Sequence, residues 1–592
     1  RAAIELRRDR PGRPGPQRRP GQQRGQPGGP GVVGPVSRPA AWRAATVRHR
    51  LGLLLTAVGS GLLLDAAFAP LSWWWAAPLG VAGLVTVLYG RRVRAGVVLG
   101  LAHGLGFFTP LLHFTAVSMG NVVGWLAVTV VESLYLAALG GAWAVAQRLV
   151  PGPGARWRGP AVRAVCFPVL WVAVEEVRSS WPWGGLPFGR LAFAMADAPV
   201  LPLASLAGST GLGLLVALTG AVLAEGIRAL RDGRRATTLV CATAACALTA
   251  SPALVGLPER AEDGTVRVAA VQGNVAGDAE DAYSRALEVT RNHVLATVEL
   301  AASGSATGVD LVIWPENAAD RDPRQDRVTA VLVERAAQAV GVPVLVGAIA
   351  FADRPEGMSG VTGRVRYNDM VVWTPGSGAG QVYTKHRPVA FGEFVPLRRL
   401  IRAVSGQVDR IGSDLLPGSG GHTLTVRTRD GRDVPLAVGI CFEVAYDDVL
   451  RAGVRQGGEV IVVPTNNASF GGSSEAAQQL AQGRVQAVTH GRAVVQVSTV
   501  GVTAVISPRG VVTQEARPYT RAYLVADVPL RRGLSVADRL GPWPARVVLA
   551  AATVLVLAGA APVLTSAIPA RAGAVPVRAG AVSAGASRPT RA

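Results

Sequence analysis

Three residues whose side chains could together perform acyl chemistry each stand at the end of a hydrophobic, strand-like stretch. Glu316 lies in LVIWPEN, Lys385 follows QVYT, and Cys441 lies in VPLAVGICFE. Because ligand sites of α/β folds gather at the carboxyl ends of strands, the three side chains could meet in one pocket. Taken singly, a carboxylate in such a position is more often a surface acid, and a cysteine is more often part of the core. The chemistry is therefore predicted by the set and not by any one member.

Lys385 is distinctive because it is the only lysine among the 60 lysine and arginine residues of the chain. A compact ammonium can stabilise the oxyanion that forms when a carbonyl is attacked, whereas a guanidinium is planar, larger and differently aimed. A nearby ammonium also lowers the pKa of a thiol, and a carboxylate can accept the thiol proton. The set of Cys441, Glu316 and Lys385 thus predicts acyl transfer through a thioester.

The composition indicates a membrane protein. Of the 592 residues, 49% are hydrophobic and 17% are charged, and the mean hydropathy is +0.31. The net charge of +21 could suggest nucleic acid, but many arginines lie in the first 50 residues or in short loops between apolar runs, which is a signal of membrane topology. Each run is close to the roughly 20 residues that cross a bilayer as a helix. Eight such runs lie at about residues 51–69, 72–90, 95–115, 121–147, 161–177, 204–227, 236–255 and 546–568.

Arginines in the loops predict the orientation of the spans, because basic residues mark the cytoplasmic side. They crowd the loops before the third, fifth and seventh runs, whereas residues 116–120 contain no basic residue and residues 178–203 contain two. The amino terminus is therefore predicted inside. Seven crossings would place residues 256–545 outside, and the eighth would return the tail to the cytoplasm.

The segment between the seventh and eighth runs has a different pattern. Short, β-branched and almost continuously hydrophobic stretches alternate there with helical patterns, which predicts an α/β domain. The strand-like stretches are 266–275, 310–317, 342–350, 368–375, 434–443, 458–467 and 493–507. The predicted organisation is a disordered basic tail at 1–45, a seven-helix transmembrane domain at 46–256, a catalytic domain at 262–533, an eighth transmembrane helix at 545–568 and a cytoplasmic tail at 569–592.

Glu in WPEN, Lys in YTKHRPVAFGEFVP and Cys in GICFE, in that order, resemble the carbon–nitrogen hydrolase (nitrilase) superfamily. Together with the membrane runs and WVAVEEVRSSWPWGGLPFGRLAFA at 171–194, the chain is similar to the bacterial apolipoprotein N-acyltransferase family over about residues 50–570. The resemblance implies a polytopic α-helical membrane domain of about eight spans. It also implies an extracytoplasmic nitrilase-like α/β domain with an αββα sandwich.

The resemblance also implies roles for individual residues. Cys441 would be the nucleophile, Glu316 the general base, and Lys385 the stabiliser of the oxyanion and thiolate. Glu393 would orient the lysine, and Glu443, two residues after the nucleophile, would support it without contacting the substrate.

Two positions depart from the family pattern. Phe442 stands where relatives have tyrosine, so a hydroxyl contact is lost, and Ser469 stands where they have a large aromatic residue in a loop expected to meet lipid. The Ser469 departure bears on the gating of lipid more than on the chemistry.

The implied reaction moves a fatty acyl chain from a membrane phospholipid to Cys441, and then to the α-amine of a diacylglyceryl-cysteine at the start of a lipoprotein. The implied location is the bacterial cell membrane, with the catalytic domain outside. No cofactor and no nucleic-acid partner is predicted. The 7 histidines are scattered, so no metal site is predicted, and His386 beside Lys385 is interpreted as structural.

Several alternatives stay open at this stage. A membrane-tethered amidase would use the same three residues and pass its thioester to water, and a non-catalytic scaffold would use none of them. The aromatic segment 178–203 could line a path for lipid or be an ordinary interfacial loop. Glu132, which lies within a span, could be functional, although pairing with a neighbouring helix is favoured.

Overall fold

A computed structural model describes residues 40–150, 158–275, 287–355, 363–404 and 411–566. The chain divides into two units, residues 1–51 and residues 52–592, and only the first turns of one helix are described in the first unit. The predicted disordered tail lies outside the described residues as far as residue 39, and the predicted cytoplasmic tail at 569–592 lies outside them altogether.

The described helices fall into an amino-terminal group, a group in the α/β domain, and a last long helix. They are α1 (Ala40–Asp65), α2 (Ala76–Leu88), α3 (Val93–Leu111), α4 (Phe114–Ser118), α5 (Val122–Ala146), α6 (Arg158–Arg178), α7 (Ala204–Arg231), α8 (Arg235–Ala250), α9 (Glu288–Ala302), α10 (Arg327–Val340), α11 (Arg398–Val404), α12 (Asp447–Arg455), α13 (Glu475–His490), α14 (Val536–Leu540) and α15 (Trp543–Ser566).

All eight predicted spans coincide with helices, but these helices differ in length and polarity. Six helices of the described residues are long and apolar enough to cross a membrane, and they correspond to α1, α3, α5, α7, α8 and α15. Helix α2 has 13 residues, so it is about 20 Å long against a hydrocarbon core of about 30 Å. Helix α6 ends in a charged stretch that contains Glu175, Glu176 and Arg178. The membrane-embedded helical part is therefore present, while the count of eight spans stays a prediction.

Helices α3 and α5 approach each other closely through glycines. A Cβ atom on Gly100 would lie 2.1 Å from the carbonyl oxygen of Leu136, and one on Gly140 would lie 2.1 Å from that of Gly96. Small residues allow such close backbone contact between membrane helices. In the stretch GNVVG at 120–124, a Cβ atom on Gly124 would lie 2.4 Å from the sulfur of Met119, which precedes the same helix.

A buried ion pair joins α5 to the end of α6. Arg178 Nη1 donates a 2.9 Å hydrogen bond to Glu132 Oε2, and it also donates to the carbonyl oxygens of Leu186 and Phe188 at 2.7 Å each. Glu132 and Arg178 are 5% and 2% exposed. The favoured interpretation of Glu132, pairing with a neighbouring helix, is what the structure contains.

Replacing Arg178 with methionine should destabilise the protein by about 3–5 kcal/mol, because Glu132 would be left buried without its cation. The measurement is unfolding of the detergent-solubilised protein. The double variant Arg178→Met/Glu132→Leu should recover much of the loss, since it removes both charges together. A single variant as stable as the wild type would show that the pair contributes nothing.

The α/β domain is formed by twelve described strands in two six-stranded sheets. The strands are β1 (Thr265–Gln272), β2 (Leu311–Ile313), β3 (Val344–Ala352), β4 (Val365–Thr374), β5 (Gly378–Thr384), β6 (Thr423–Arg427), β7 (Asp433–Val438), β8 (Val460–Thr465), β9 (Val494–Ser498), β10 (Ala504–Ile506), β11 (Val512–Glu515) and β12 (Ala522–Pro529). The first sheet has the order β12-β1-β2-β3-β4-β5 and the second has the order β11-β10-β9-β8-β7-β6.

Each sheet has three parallel strands at its centre, β1-β2-β3 in the first and β7-β8-β9 in the second, with antiparallel strands outside them. The inner faces of the two sheets pack together through alternate buried residues such as Val268, Leu436 and Val462. Helices α9 and α10 cover the first sheet, and α12 and α13 cover the second. The predicted αββα sandwich is therefore confirmed.

The structure corrects one strand prediction. The stretch 493–507 forms two antiparallel strands, β9 and β10, and not one. The chain reverses between Ser498 and Ala504, where Gly501 donates its backbone N–H to Ser498 Oγ at 2.8 Å. Hydrophobicity alone does not reveal this turn, because the residues on both sides of it are buried. The sequence patterns also do not indicate the outer strands β6, β11 and β12, since these are more polar and partly exposed.

Candidate active site

Glu316 follows β2, a central strand of the first sheet, and it is 4% exposed. Its Oε1 accepts a 2.6 Å hydrogen bond from Asn368 Nδ2, and its Oε2 accepts one of 2.8 Å from the backbone N–H of Asn466. Strand β3 lies close to the backbone beside Glu316 because Gly347 has no side chain. A Cβ atom on Gly347 would lie 2.2 Å from the carbonyl oxygen of Pro315. The carboxylate is thus held by both halves of the sandwich.

Lys385 follows the edge strand β5 and is fully buried. Its Nζ lies 2.6 Å from Glu393 Oε1 and 3.7 Å from Glu316 Oε1. Its backbone N–H donates to the carbonyl oxygen of Asn368 at 2.9 Å. Glu393 also accepts a 2.7 Å hydrogen bond from the backbone N–H of Val389, which fixes the carboxylate beside the ammonium.

Cys441 begins the short 3-10 turn after β7 and is 6% exposed. Its φ angle is 56°, in the left-handed region that residues other than glycine seldom adopt. Such backbone strain is characteristic of functional sites, where the surrounding structure maintains it. The Gln479 amide nitrogen lies 3.8 Å from the Cys441 sulfur.

The electrostatics of the three groups differ from the simple expectation that a nearby ammonium lowers the pKa of the thiol. Burial, followed by the charge of Glu316, raises the pKa of Cys441 well above its ordinary value, although Lys385 lowers it. Burial also raises the pKa of Glu316. Burial acts to lower the pKa of Lys385, but the carboxylates of Glu393 and Glu316 raise it by more. The resting thiol is therefore neutral, and it needs a base to become a nucleophile.

Glu443 connects the turn that begins at Cys441 to the loop that follows Lys385. Its Oε2 accepts hydrogen bonds of 2.7 Å from Tyr383 Oη and from the backbone N–H of Ile440. Its Oε1 accepts bonds of 2.7 and 2.9 Å from the backbone N–H groups of His386 and Arg387. All four partners are donors, so the side chain acts as an acceptor on both oxygens. The carboxylate therefore links the turn that begins at Cys441 to the loop after Lys385, while its supporting role in the reaction stays a prediction.

Replacing Glu443 with glutamine should lower the free energy of unfolding by about 3 kcal/mol. The amide NH₂ group of glutamine would face hydrogen-bond donors, and it cannot accept hydrogen bonds from them. Acyl transfer should fall as well, since the loops of Lys385 and Cys441 would lose their common anchor. Thermal unfolding and a transfer assay measure the two effects. Glu259→Gln changes a surface glutamate whose side chain is 62% exposed, and it should alter neither quantity.

Phe442, in the turn that begins at Cys441, belongs to an aromatic cluster that includes rings of the amino-terminal helical part. Its ring centroid lies 4.7 Å from that of Phe188, 5.6 Å from that of Phe470 and 6.3 Å from that of Phe114. Ser469 is exposed in the loop beside this cluster. Phe470 therefore supplies an aromatic contact in the loop that carries Ser469, while the effect of Ser469 on lipid remains a prediction.

The segment 178–203 contains both exposed and buried parts. Trp181 and Trp183 are 65% and 44% exposed, and the Trp183 ring lies 5.9 Å from that of Phe391 in the loop after the lysine. Tyr446 Oη donates a 3.1 Å hydrogen bond to the carbonyl oxygen of Gly185. The segment therefore contacts loops of the catalytic domain, as well as presenting tryptophans at its surface.

Several residues of the candidate site are not predicted by the sequence. Asn368, Asn466 and Gln479 are polar groups within strands, loops or helices, and nothing in their local pattern separates them from surface residues. The position of Asn466 directly after β8 is the one signal that could have been used, because strand ends gather at the site. In the described part of the chain, no group of three or more histidine, cysteine, aspartate or glutamate residues is arranged to hold a metal ion.

Comparisons with known proteins match both halves of the chain. Residues 60–222 match the apolipoprotein N-acyltransferase N-terminal domain, and residues 267–537 match the carbon–nitrogen hydrolase family. An apolipoprotein N-acyltransferase of Mycolicibacterium smegmatis is 32% identical over 548 residues, which cover 89% of this chain and 88% of that protein. One of Azotobacter vinelandii is 29% identical, over 85% of this chain and 93% of that protein.

The two matched domains and the apolar helices indicate a membrane-embedded acyltransferase built on a carbon–nitrogen hydrolase domain. With 32% identity over 89% of its length to a member, the chain belongs to the apolipoprotein N-acyltransferase family.

Proposed function

We propose that the protein moves a fatty acyl group from a membrane phospholipid to Cys441, and from there to the α-amine of a diacylglyceryl-cysteine at the start of a lipoprotein. The observation that carries this proposal is the meeting of Cys441, Glu316 and Lys385 from three strand ends. Lys385 lies 3.7 Å from Glu316, and both act electrostatically on the Cys441 thiol.

In the first stage, Glu316 takes the proton of the Cys441 thiol, and the sulfur attacks the ester carbonyl of the phospholipid. The ammonium of Lys385 stabilises the oxyanion that forms. The ester C–O bond breaks, and the departing lysophospholipid oxygen takes the proton from Glu316. A thioester remains on the enzyme. The raised pKa of Glu316 suits a group that must take and return this proton.

In the second stage, the amine of the acceptor attacks the thioester carbonyl, and its proton passes to Glu316. The C–S bond breaks, an amide forms, and the Cys441 sulfur recovers a proton from Glu316. Lys385 again faces the oxyanion. The enzyme ends each cycle as it began.

We also propose that the catalytic domain lies outside the cytoplasmic membrane of a bacterium. Support comes from contacts at the two ends of the helical bundle. At one end, Arg163 of α6 pairs with Glu225 of α7 at 2.7 Å and Arg228 of α7 lies over the ring of Tyr89, so arginine-bearing helix ends lie together. At the other end, a glutamine of helix α13 in the catalytic domain donates a 3.1 Å hydrogen bond to the carbonyl oxygen of Leu111. Basic loops favour the cytoplasmic side.

Mass spectrometry of the enzyme after exposure to phospholipid tests the chemistry. The expected result is a fatty acyl adduct on the peptide that contains position 441, followed by transfer of labelled acyl groups to a diacylated lipopeptide. Release of the label as free fatty acid, with none on the lipopeptide, would favour the membrane-tethered amidase. The absence of any adduct and of any transfer would favour a non-catalytic scaffold.

A further inference from the structure

The nucleophile has a further ionisable neighbour that the catalytic set does not include. Glu475 begins helix α13 and is fully buried. Its Oε2 accepts a 2.6 Å hydrogen bond from Asn467 Nδ2, whereas its Oε1 has no hydrogen-bond partner among the described residues. A buried carboxyl oxygen without a partner costs free energy. The unpaired oxygen therefore marks a position where a substrate could supply a hydrogen-bond donor.

Hydrogen bonds connect Glu475 to the surroundings of the sulfur. Asn467 Nδ2 also donates to Gln479 Oε1 at 3.1 Å, and Gln479 Nε2 lies 3.8 Å from the Cys441 sulfur. Glu475 and Gln479 are four residues apart on one helix, so they share a face. The charge of Glu475 raises the pKa of the Cys441 thiol. The carboxyl group thus lies within electrostatic reach of the atom that carries the acyl chain.

The proposed second stage needs a base at this place. An α-amine has a pKa of about 7.7–8.0, so much of it arrives as an ammonium without a lone pair. That ammonium must lose one proton before it can attack, and a second when the amide forms. Glu316 can hold only one proton at a time, and it is needed for the proton that the nitrogen loses when the amide forms.

We propose that Glu475 binds the ammonium of the acceptor and removes its first proton, an inference that rests on the proposed function. The carboxylate takes one proton from nitrogen, and the neutral amine then attacks the thioester carbonyl. The second proton passes from nitrogen to Glu316 and on to the departing sulfur. Glu475 returns its proton to water, so protons balance over the cycle.

The surroundings of Glu475 favour proton exchange between its carboxyl group and an ammonium group. Burial raises the pKa of Glu475 to about 8, with a smaller contribution from the charge of Glu316, and the bond from Asn467 lowers it. This value lies beside that of an α-ammonium, so a proton can pass between them at little cost in free energy. The other side chains in its hydrogen-bond network, Gln479 and Ser498, are neutral, and Glu316 and Cys441 are the ionisable groups that face it in the described part of the chain.

The variant Glu475→Gln in the full-length enzyme tests the inference, because glutamine keeps the shape and cannot take the proton. Transfer to a diacylated lipopeptide at neutral pH should fall about a hundredfold relative to the burst of lysophospholipid, which reports the first stage. The deficit should shrink as the pH rises, because free amine then forms in solution. Transfer to hydroxylamine, which is largely uncharged at neutral pH, should be unchanged.

Glu299→Gln makes the same chemical change at a residue whose side chain is 50% exposed, and it should affect neither stage. If Glu475→Gln slows neither stage, or slows both stages and the hydroxylamine reaction equally, the inference is wrong. If the wild type forms no acyl-enzyme, the proposed function is wrong and the inference falls with it. The two failures are therefore distinguishable.

Discussion

Replacing Lys385 with arginine is expected to lower the rate of acyl-enzyme formation by about 10²–10³-fold, although the charge is retained, because the loss of one oxyanion donor costs on that order. The Lys385 side chain is fully buried and its Nζ lies 2.6 Å from Glu393. A guanidinium is planar and larger, so it cannot place one donor at the same point between Glu393 and Glu316. The lysophospholipid burst after mixing with phospholipid measures this rate.

The chain offers a matched control for this substitution. Arg427→Lys exchanges the same two residue types in the opposite direction at a side chain that is 70% exposed, and it should leave the burst unchanged. Thermal unfolding of Lys385→Arg separates a misfolded protein from a folded but slow enzyme. A folded Lys385→Arg enzyme with nearly normal turnover would contradict the role assigned to the lysine.

Replacing Cys441 with serine is expected to reduce transfer by about 10⁴-fold or more, which is the order of loss when a nucleophile is removed from a catalytic set. Burial and the charge of Glu316 already raise the pKa of the thiol at this position. A hydroxyl group is far less acidic than a thiol, so Glu316 would no longer generate a nucleophile at a useful rate. Transfer of labelled acyl groups to a diacylated lipopeptide is the measurement.

Cys246→Ser is the matched control, because Cys246 is an exposed free cysteine in helix α8, and this variant should transfer acyl groups at the wild-type rate. No adduct should form at position 441 in Cys441→Ser on the timescale of wild-type turnover. Undiminished activity in Cys441→Ala would exclude the thioester route and would favour another nucleophile.

Much of the fold is predictable because its signals are local. The lengths of the apolar runs predict the helices found at all eight positions, and RVTAVLVERAAQAV, one of the helical patterns between the strand-like stretches, forms a helix with the bounds Arg327–Val340. The turn inside 493–507 is not predictable from hydrophobicity, because strands β9 and β10 are buried on both sides of it. Local sequence pattern also does not predict the ion-pair partner of Glu132, because Arg178 lies 46 residues away in the sequence.

Local sequence pattern is enough to predict which groups react. Glu316, Lys385 and Cys441 stand at strand ends, and strand ends are readable from local hydrophobicity and residue type. The protonation of those groups depends on the tertiary structure. At the Cys441 thiol, burial raises the pKa by more than Lys385 lowers it. Hydrogen bonds of Asn467 connect Glu475 to Gln479 beside the sulfur. The physical reason is that burial and electrostatic distance depend on residues brought together from separate strands and helices, which no local pattern encodes.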